Sequence, residues 1–382
     1  MDLETMDTTA RNASLQEVAE LLETQKTAKH DVVAAASALE CRGGTIRVRG
    51  SYQRLDLDGV STGDALLTPT RLAEASVADK LRIPTDYLRR MRAENVELYD
   101  HNVNGWLRHQ PERRFLMRGL VDSQGEGLLR AMLSDSFRIV DNLDVLLTAL
   151  QGIEAAGAQV DIAQADLTES RMYVKVRSQA ISALAPGLLR NYVSPFSRAR
   201  GADNPLVFAG FVISNSEIGH GAFTLSPQIT VEICDNGMTM TKYAEREVHL
   251  GGKLPAGVVR FAADTQNAAL ELVKKTTRDA VATFLSQDFL DARVAELTAD
   301  AGVEIGDPAP VIEHVATALR FSQQARESIL RRFTQGADMS SGGVLHAVTA
   351  AAQDMPDADE AYALEAAGVP AMQRAAAFAR TH

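Results

Sequence analysis

Residues 205–243 read PLVFAGFVISNSEIGHGAFTLSPQITVEICDNGMTMTKY, and their pattern decides the fold class. Val207, Ala209, Phe211 and Ile213 alternate with Leu206, Phe208 and Val212, the period of two that a pleated strand produces. Asn215, Gly219 and Gly221 end that run. In a second strand, Ile229, Val231 and Ile233 alternate with Thr230, Glu232 and Cys234. Asp235-Asn236-Gly237 has the composition of a hairpin turn, because Asn and Gly tolerate positive φ. Met238, Met240 and Lys242 then open a third strand. The stretch predicts an antiparallel meander at the centre of an α+β fold.

Upstream, Arg114–Val121 and Leu128–Ser134 flank the loop DSQGEG (122–127) as a hairpin. Both of its faces are largely apolar, which predicts a central position in a sheet. Val160 and Ile162, then Met172, Val174 and Val176, form another hairpin around a turn at Asp166–Ser170. Thr45–Arg49 and Tyr52–Leu57 read as a short hairpin turning at Gly50-Ser51. Leu15, Val18, Leu21 and Leu22 fall at helical spacing behind Asn12 or Ser14 as caps, in a loosely docked helix that the Ala-rich residues 31–39 continue or restart. Thr70 or Pro69 opens a helix that Ile83-Pro84 breaks, since the residue before proline avoids the helical region. Thr85 caps a second one containing Tyr87, Leu88, Met91 and Val96. Asp141 or Asn142 caps a helix closed by Gly157. Residues 179–204 read as a helix plus a loop whose exposed run SRARGADN is flexible and partly basic. Beyond Gly251-Gly252 and Pro255 the pattern is helical throughout. The predicted organisation is a helical extension (1–40), a mixed α+β body (41–255) whose central antiparallel sheet packs with helices, and a C-terminal helical region (256–382).

Hydrophobic residues make up 46% of the 382, ample for a core. No apolar run approaches the roughly 20 residues that a membrane span needs. The opening MDLETMDTTARNASLQEVAE is acidic and polar, so neither a signal nor a transit peptide is expected, and the expected location is cytoplasmic. Cys41 and Cys234 are the two cysteines; they suit a reducing compartment and exclude a cysteine-based zinc site. Net charge is −11 but uneven: residues 42–120 carry 14 basic and 10 acidic groups, a local excess of four positive charges. An acidic total argues against a histone-like binder and leaves room for one basic groove.

Catalytic signatures are weak. GGTIRVRG, GGKLPAG and SSGGVLHA lack the GxxxxGK[ST] and GxGxxG orders, so no cofactor is expected. GVSTG (59–63) matches GxSxG, but the next helix starts several residues too late for a nucleophile elbow. Asp135, Asp141 and Asp144 could form a carboxylate metal site; helix capping accounts for Asp141 more simply. Asn215, Glu217, His220 and Glu232 could bind a metal or run acid–base chemistry. A tight loop built by Asn215 and the glycines, with His220 on the surface, has the same signature.

Basic residues carry the remaining signal. Lys80, Arg82, Arg89, Arg90 and Arg92 cluster around the turn of the helical hairpin, as in a nucleic-acid-binding element, though a solvated hairpin reads the same way. Trp106 reads as an anchor of this hairpin to the core. Arg113, Arg114, Arg118, Arg130 and Arg138 sit on or beside the 114–134 hairpin. If Arg118 and Arg130 are cross-strand neighbours, two like charges share a face, which is destabilising unless an anion lies between them. Asp122, Glu126 or Asp135 could neutralise them instead.

NSEIGHGAF (215–223) followed by EICDNGM (232–238) resembles the phage/plasmid-like protein family, a domain of unknown function numbered 932. The segments LSDSFRIVDNLDVL (133–146), HLGGKLPAGVVRFAADT (249–265), RDAV (278–281) and FTQGADMSSGGVLHAVTAAAQ (333–353), which leads to ALEAAG (363–368), fit the same pattern, over roughly residues 65–370. Its motif positions are Asn215, Ser216, Glu217, Gly219, Gly221, Cys234, Asn236 and Gly237, with no role attached. The resemblance implies a mobile-element setting. Size and element order add an analogy to single-strand annealing proteins of the RecT and Red-beta kind, which is associational. The expected function is single-stranded nucleic-acid binding or annealing by a homo-oligomer. The alternatives are a metal-dependent enzyme using the 215–232 cluster and a non-catalytic assembly protein.

Overall fold

Two mostly antiparallel sheets, rather than one, carry the strands of this α+β fold, and helices cover both. The computed structural model describes residues 8–56, 59–137, 139–247 and 263–381. Arg138, the boundary glycines with Pro255, and most of the 249–265 segment lie outside the described residues.

In chain order, β1 (Ala10–Ala13) and α1 (Leu15–Ala28) lead into β2 (Lys29–Ala35), β3 (Leu39–Arg42), β4 (Thr45–Asp56) and β5 (Gly59–Pro69). Then come α2 (Arg71–Leu81), α3 (Thr85–Glu94), α4 (Val96–His109) and the hairpin β6 (Arg114–Val121) and β7 (Glu126–Ser134). α5 (Asn142–Ala155) crosses to β8 (Val160–Leu167) and β9 (Met172–Leu184). The single turn α6 (Pro186–Leu189) precedes β10 (Leu206–Asn215), β11 (Phe223–Val231), β12 (Gly237–Thr239) and β13 (Glu245–Glu247). Six helices finish the chain: α7 (Ala263–Phe284), α8 (Gln287–Ala301), α9 (Pro308–Ala318), α10 (Gln323–Gly336), α11 (Ser341–Gln353) and α12 (Ala358–Ala379).

The first sheet runs β1-β8-β9-β10-β11-β12, with β13 also on β11. Its centre is the predicted meander: Val207 faces Val231 and Thr230 faces Gly237. The third strand stops at Thr239, and a 3-10 turn at Thr241–Tyr243 replaces the expected continuation. The second sheet runs β2-β6-β7-β5-β4-β3, so the 114–134 hairpin is central, as its apolar faces predicted. β5 and β7 pair in parallel there.

The N-terminal segment ties the sheets together. β1 pairs β8 of the first sheet, and β2 pairs β6 of the second. Between them α1 is firmly docked, against expectation: Val18 and Leu22 are buried in the first sheet's core. Ser14 and Glu17 form a reciprocal capping box that fixes its start. The Ala-rich stretch is strand up to Ala35, because Val32 and Val33 are β-branched and Val32 packs on the second core, and only Ala36–Ala38 form a 3-10 turn. Gly50 is not a turn. At φ +61 it sits at a register shift that lets β4 run on past Val48, a conformation that favours glycine.

One core lies between the second sheet and α2, α3 and α4, lined by Ile46, Leu67, Val77, Leu88, Tyr99 and Met117. The first sheet's core takes in α1, α5 and α7, through Val18, Leu146, Phe211, Val281 and Phe284. α9 to α12 share a core of Val311, Ile329, Phe333, Val348 and Ala371. Among the described residues no helix is long and apolar enough to cross a membrane.

Candidate nucleic-acid interface

Arg118 and Arg130 do not make a cationic face. In the β6–β7 ladder Arg118 faces Ala131 and Gly119 faces Leu129, so Arg130 is the extra residue of a bulge. The Arg118 side chain is 1% exposed. Its Nε and Nη2 donate to both oxygens of Asp31 at 3.0 Å, Nη2 also to Asp141 at 2.9 Å, and Nη1 to the Glu217 carbonyl. Arg130 donates to Glu217 Oε2 at 2.7 Å, and Lys29 to Asp141 at 2.6 Å. Three cations thus meet three carboxylates in a neutral network. The acids come from β2, from the residue before α5 and from the 215–221 loop. Asp122 instead binds the amides of its own loop. Burial alone would raise the Asp141 carboxyl; Lys29 and Arg118 outweigh it and hold that group below its ordinary value.

The 215–221 loop is the other half of this junction. Asp141 stands at the N-cap of α5 but makes no capping bond with its side chain. Glu217 does that work from the neighbouring sheet, where Oε1 accepts from the Asn142 amide at 2.7 Å. Asn215 donates to Asn142 Oδ1 at 2.8 Å, and Ser216 Oγ accepts from the His220 amide at 3.0 Å. Gly219 lies beside Phe137 and Gly221 beside Arg171. The second motif is equally structural. Gln353 of α11 donates to the Cys234 carbonyl and to Asn236 Oδ1, Asn236 donates to the Tyr192 hydroxyl, and Gly237 lies against Gln228. Glu217 is therefore fully engaged, whereas His220 and Glu232 are exposed. Among the described residues no three His, Cys, Asp or Glu stand close enough to hold a metal ion.

The arginines of the helical hairpin are mostly matched one by one. Lys80 pairs with Asp79 at 2.7 Å, Arg90 with Glu94 at 2.9 Å and Arg92 with the buried Glu74 at 2.9 Å. Arg89 donates to the Arg71 carbonyl at 3.2 Å. Arg82 is exposed and caps α2 in the left-handed region. Among the described residues the expected single basic groove therefore does not form. A guanidinium already bound to its own carboxylate gains less from a phosphate, and Arg118 has no path to one.

Trp106 is the surprise. The buried stripe of α4 is Tyr99, Val103 and Leu107, so Trp106 falls beside it and is 44% exposed. It does not anchor the hairpin; its ring meets His109 edge-on at 5.7 Å. Arg108 and His109 form the last turn of α4, and Arg113 and Arg114 follow as the chain enters β6, all exposed. Arg113 lies over the Phe115 ring at 4.9 Å and reaches Gln110. Among the described residues Arg108, Arg113 and Arg114 have no carboxylate partner. Helical phase does not announce this exposure: position 106 is seven residues from the buried Tyr99, within about 20° of the same helix face.

Compared with protein-family models, with curated proteins and with solved structures, the chain matches none.

Proposed function

We propose that the protein is a non-catalytic, single-strand nucleic-acid-binding protein of a phage- or plasmid-like element, acting as a homo-oligomer in annealing. The contact surface is the end of α4 and the start of β6. The observation that carries this reading is an exposed indole, Trp106, in a short stretch whose exposed Arg108, Arg113 and Arg114 have no carboxylate partner among the described residues. An aromatic face takes an unstacked base, and cations track the backbone. Stacking needs a base free of its duplex, hence the preference for single strands. The resemblance of the 215–238 motifs supplies the mobile-element setting.

Trp106 is the chain's single tryptophan, so its fluorescence reports on this site alone. Oligothymidylate is expected to quench it. Neutralising three phosphates should weaken binding about 20-fold between roughly 50 and 200 mM salt. Trp106→Ala should weaken it by about 1–3 kcal/mol. An oligonucleotide that neither binds nor quenches at the low-salt end removes the proposal.

A further inference from the structure

The loop between α6 and β10 is rigidly built yet presents an aromatic ring to solvent. Its sequence reads as a flexible excursion, and the structure corrects this. Ser194 is buried, and its Oγ accepts from the amides of Phe196 and Ser197 at 3.3 and 3.2 Å. The Ser194 amide donates to the Ala199 carbonyl, and Val193 bridges Arg200. Ser197 Oγ donates to the Ile233 carbonyl at 2.7 Å, and the Val193 amide to the Gly336 carbonyl at 3.0 Å. Gly201 closes the loop so tightly that a Cβ would lie 2.1 Å from the Leu189 carbonyl oxygen.

Phe196 is 42% exposed on this frame. The Arg332 guanidinium lies over its ring at 4.5 Å and is itself held by Asp354. Arg190, Arg198 and Arg200 are exposed and have no carboxylate partner among the described residues, and the segment's own acid is Asp203 alone. Like the Trp106 surface, this loop sets an exposed ring near exposed arginines that have no carboxylate partner among the described residues, here two and four residues on. Because the loop is already ordered, binding there costs the loop little conformational entropy.

We propose that this loop is a second contact for the same single strand, with a base on Phe196 and phosphates on Arg198 and Arg200. The proposal rests on the polynucleotide reading. Its test is anisotropy of labelled oligothymidylate together with Trp106 quenching, on the full chain and two loop variants, with Trp106→Ala compared by anisotropy alone. Arg198→Asn/Arg200→Ser keeps a residue that tolerates the left-handed conformation at position 198, where φ is +63. That variant should lower the salt slope by about 1.4, two phosphates' worth for a single strand. Phe196→Ala should weaken binding about 5- to 150-fold. Both should melt like the parent and keep full Trp106 quenching at saturation. If both bind like the parent while Trp106→Ala binds weakly, the loop is no contact and serves another partner, such as an acidic protein. If the parent neither binds nor quenches, the polynucleotide reading itself fails and the second contact falls with it.

Discussion

Arg118→Ala is expected to destabilise the protein by about 3–5 kcal/mol, the range for removing one member of a buried ionic cluster. The guanidinium joins Asp31, Asp141 and the Glu217 carbonyl, which belong to β2, the entry to α5 and the loop after β10. Its loss leaves two part-buried carboxylates facing each other, and the Glu217 carbonyl without that donor. Lysine should not rescue it, because an ammonium cannot make the two parallel bonds to Asp31 and still reach Asp141. Arg114→Ala, a nearby exposed site, should stay within about 0.5 kcal/mol of the parent. Urea unfolding of the three variants decides the matter. An Arg118→Ala midpoint close to that of Arg114→Ala would mean that the network holds nothing together.

The same residue marks the limit of what the sequence could tell. The meander was legible, because a period of two and an Asp-Asn-Gly turn are local. The 114–134 hairpin and its central position were legible for the same reason. The second sheet was not. β5 reaches β7 in parallel across more than 50 residues, and no local signal encodes that pairing. Arg118 was noticed as a charge in an apolar run, but its partners Asp31 and Glu217 lie 87 and 99 residues away. One-dimensional charge density therefore pointed to a groove where the fold builds a neutral junction. Asp141 shows the same shift: the N-cap position was readable, while the bond that caps α5 comes from Glu217, in the loop after β10 and 75 residues from Asn142. The Trp106 surface failed for a different reason. Position 106 is seven residues from the buried Tyr99, so the phase of α4 and tryptophan's usual burial both pointed inward, and only the packing around the helix end leaves the ring exposed.

The second large effect is expected with pH. His346 of α11 is fully buried. Its Nε2 donates to the Leu188 carbonyl at 3.1 Å, its ring stacks on Tyr192 at 4.2 Å, and Nδ1 has no partner among the described residues. Burial pushes its pKa below the ordinary histidine value, against the opposing pull of the Leu188 carbonyl and Asp338. A depressed histidine favours the unfolded chain once protons bind. Its contribution to stability is therefore complete above about pH 6.5 and shrinks by about 1.4 kcal/mol per pH unit below it, until the folded pKa is passed. His30, which is partly buried, and His220, which is exposed, shift in the same direction, so the decisive comparison is a single substitution. Asp141 does not confuse the window, since its carboxyl titrates below the ordinary carboxylate value. His346→Phe keeps a ring against Tyr192 and removes the titrating nitrogens. It should lower stability at neutral pH by about 1–3 kcal/mol, because the Leu188 carbonyl loses its donor. It should also lose less than the parent between about pH 7 and pH 5.5, by up to about 1.4 kcal/mol. Denaturant unfolding at those two values tests both, and parallel losses in parent and variant would show that the acid sensitivity belongs to other groups.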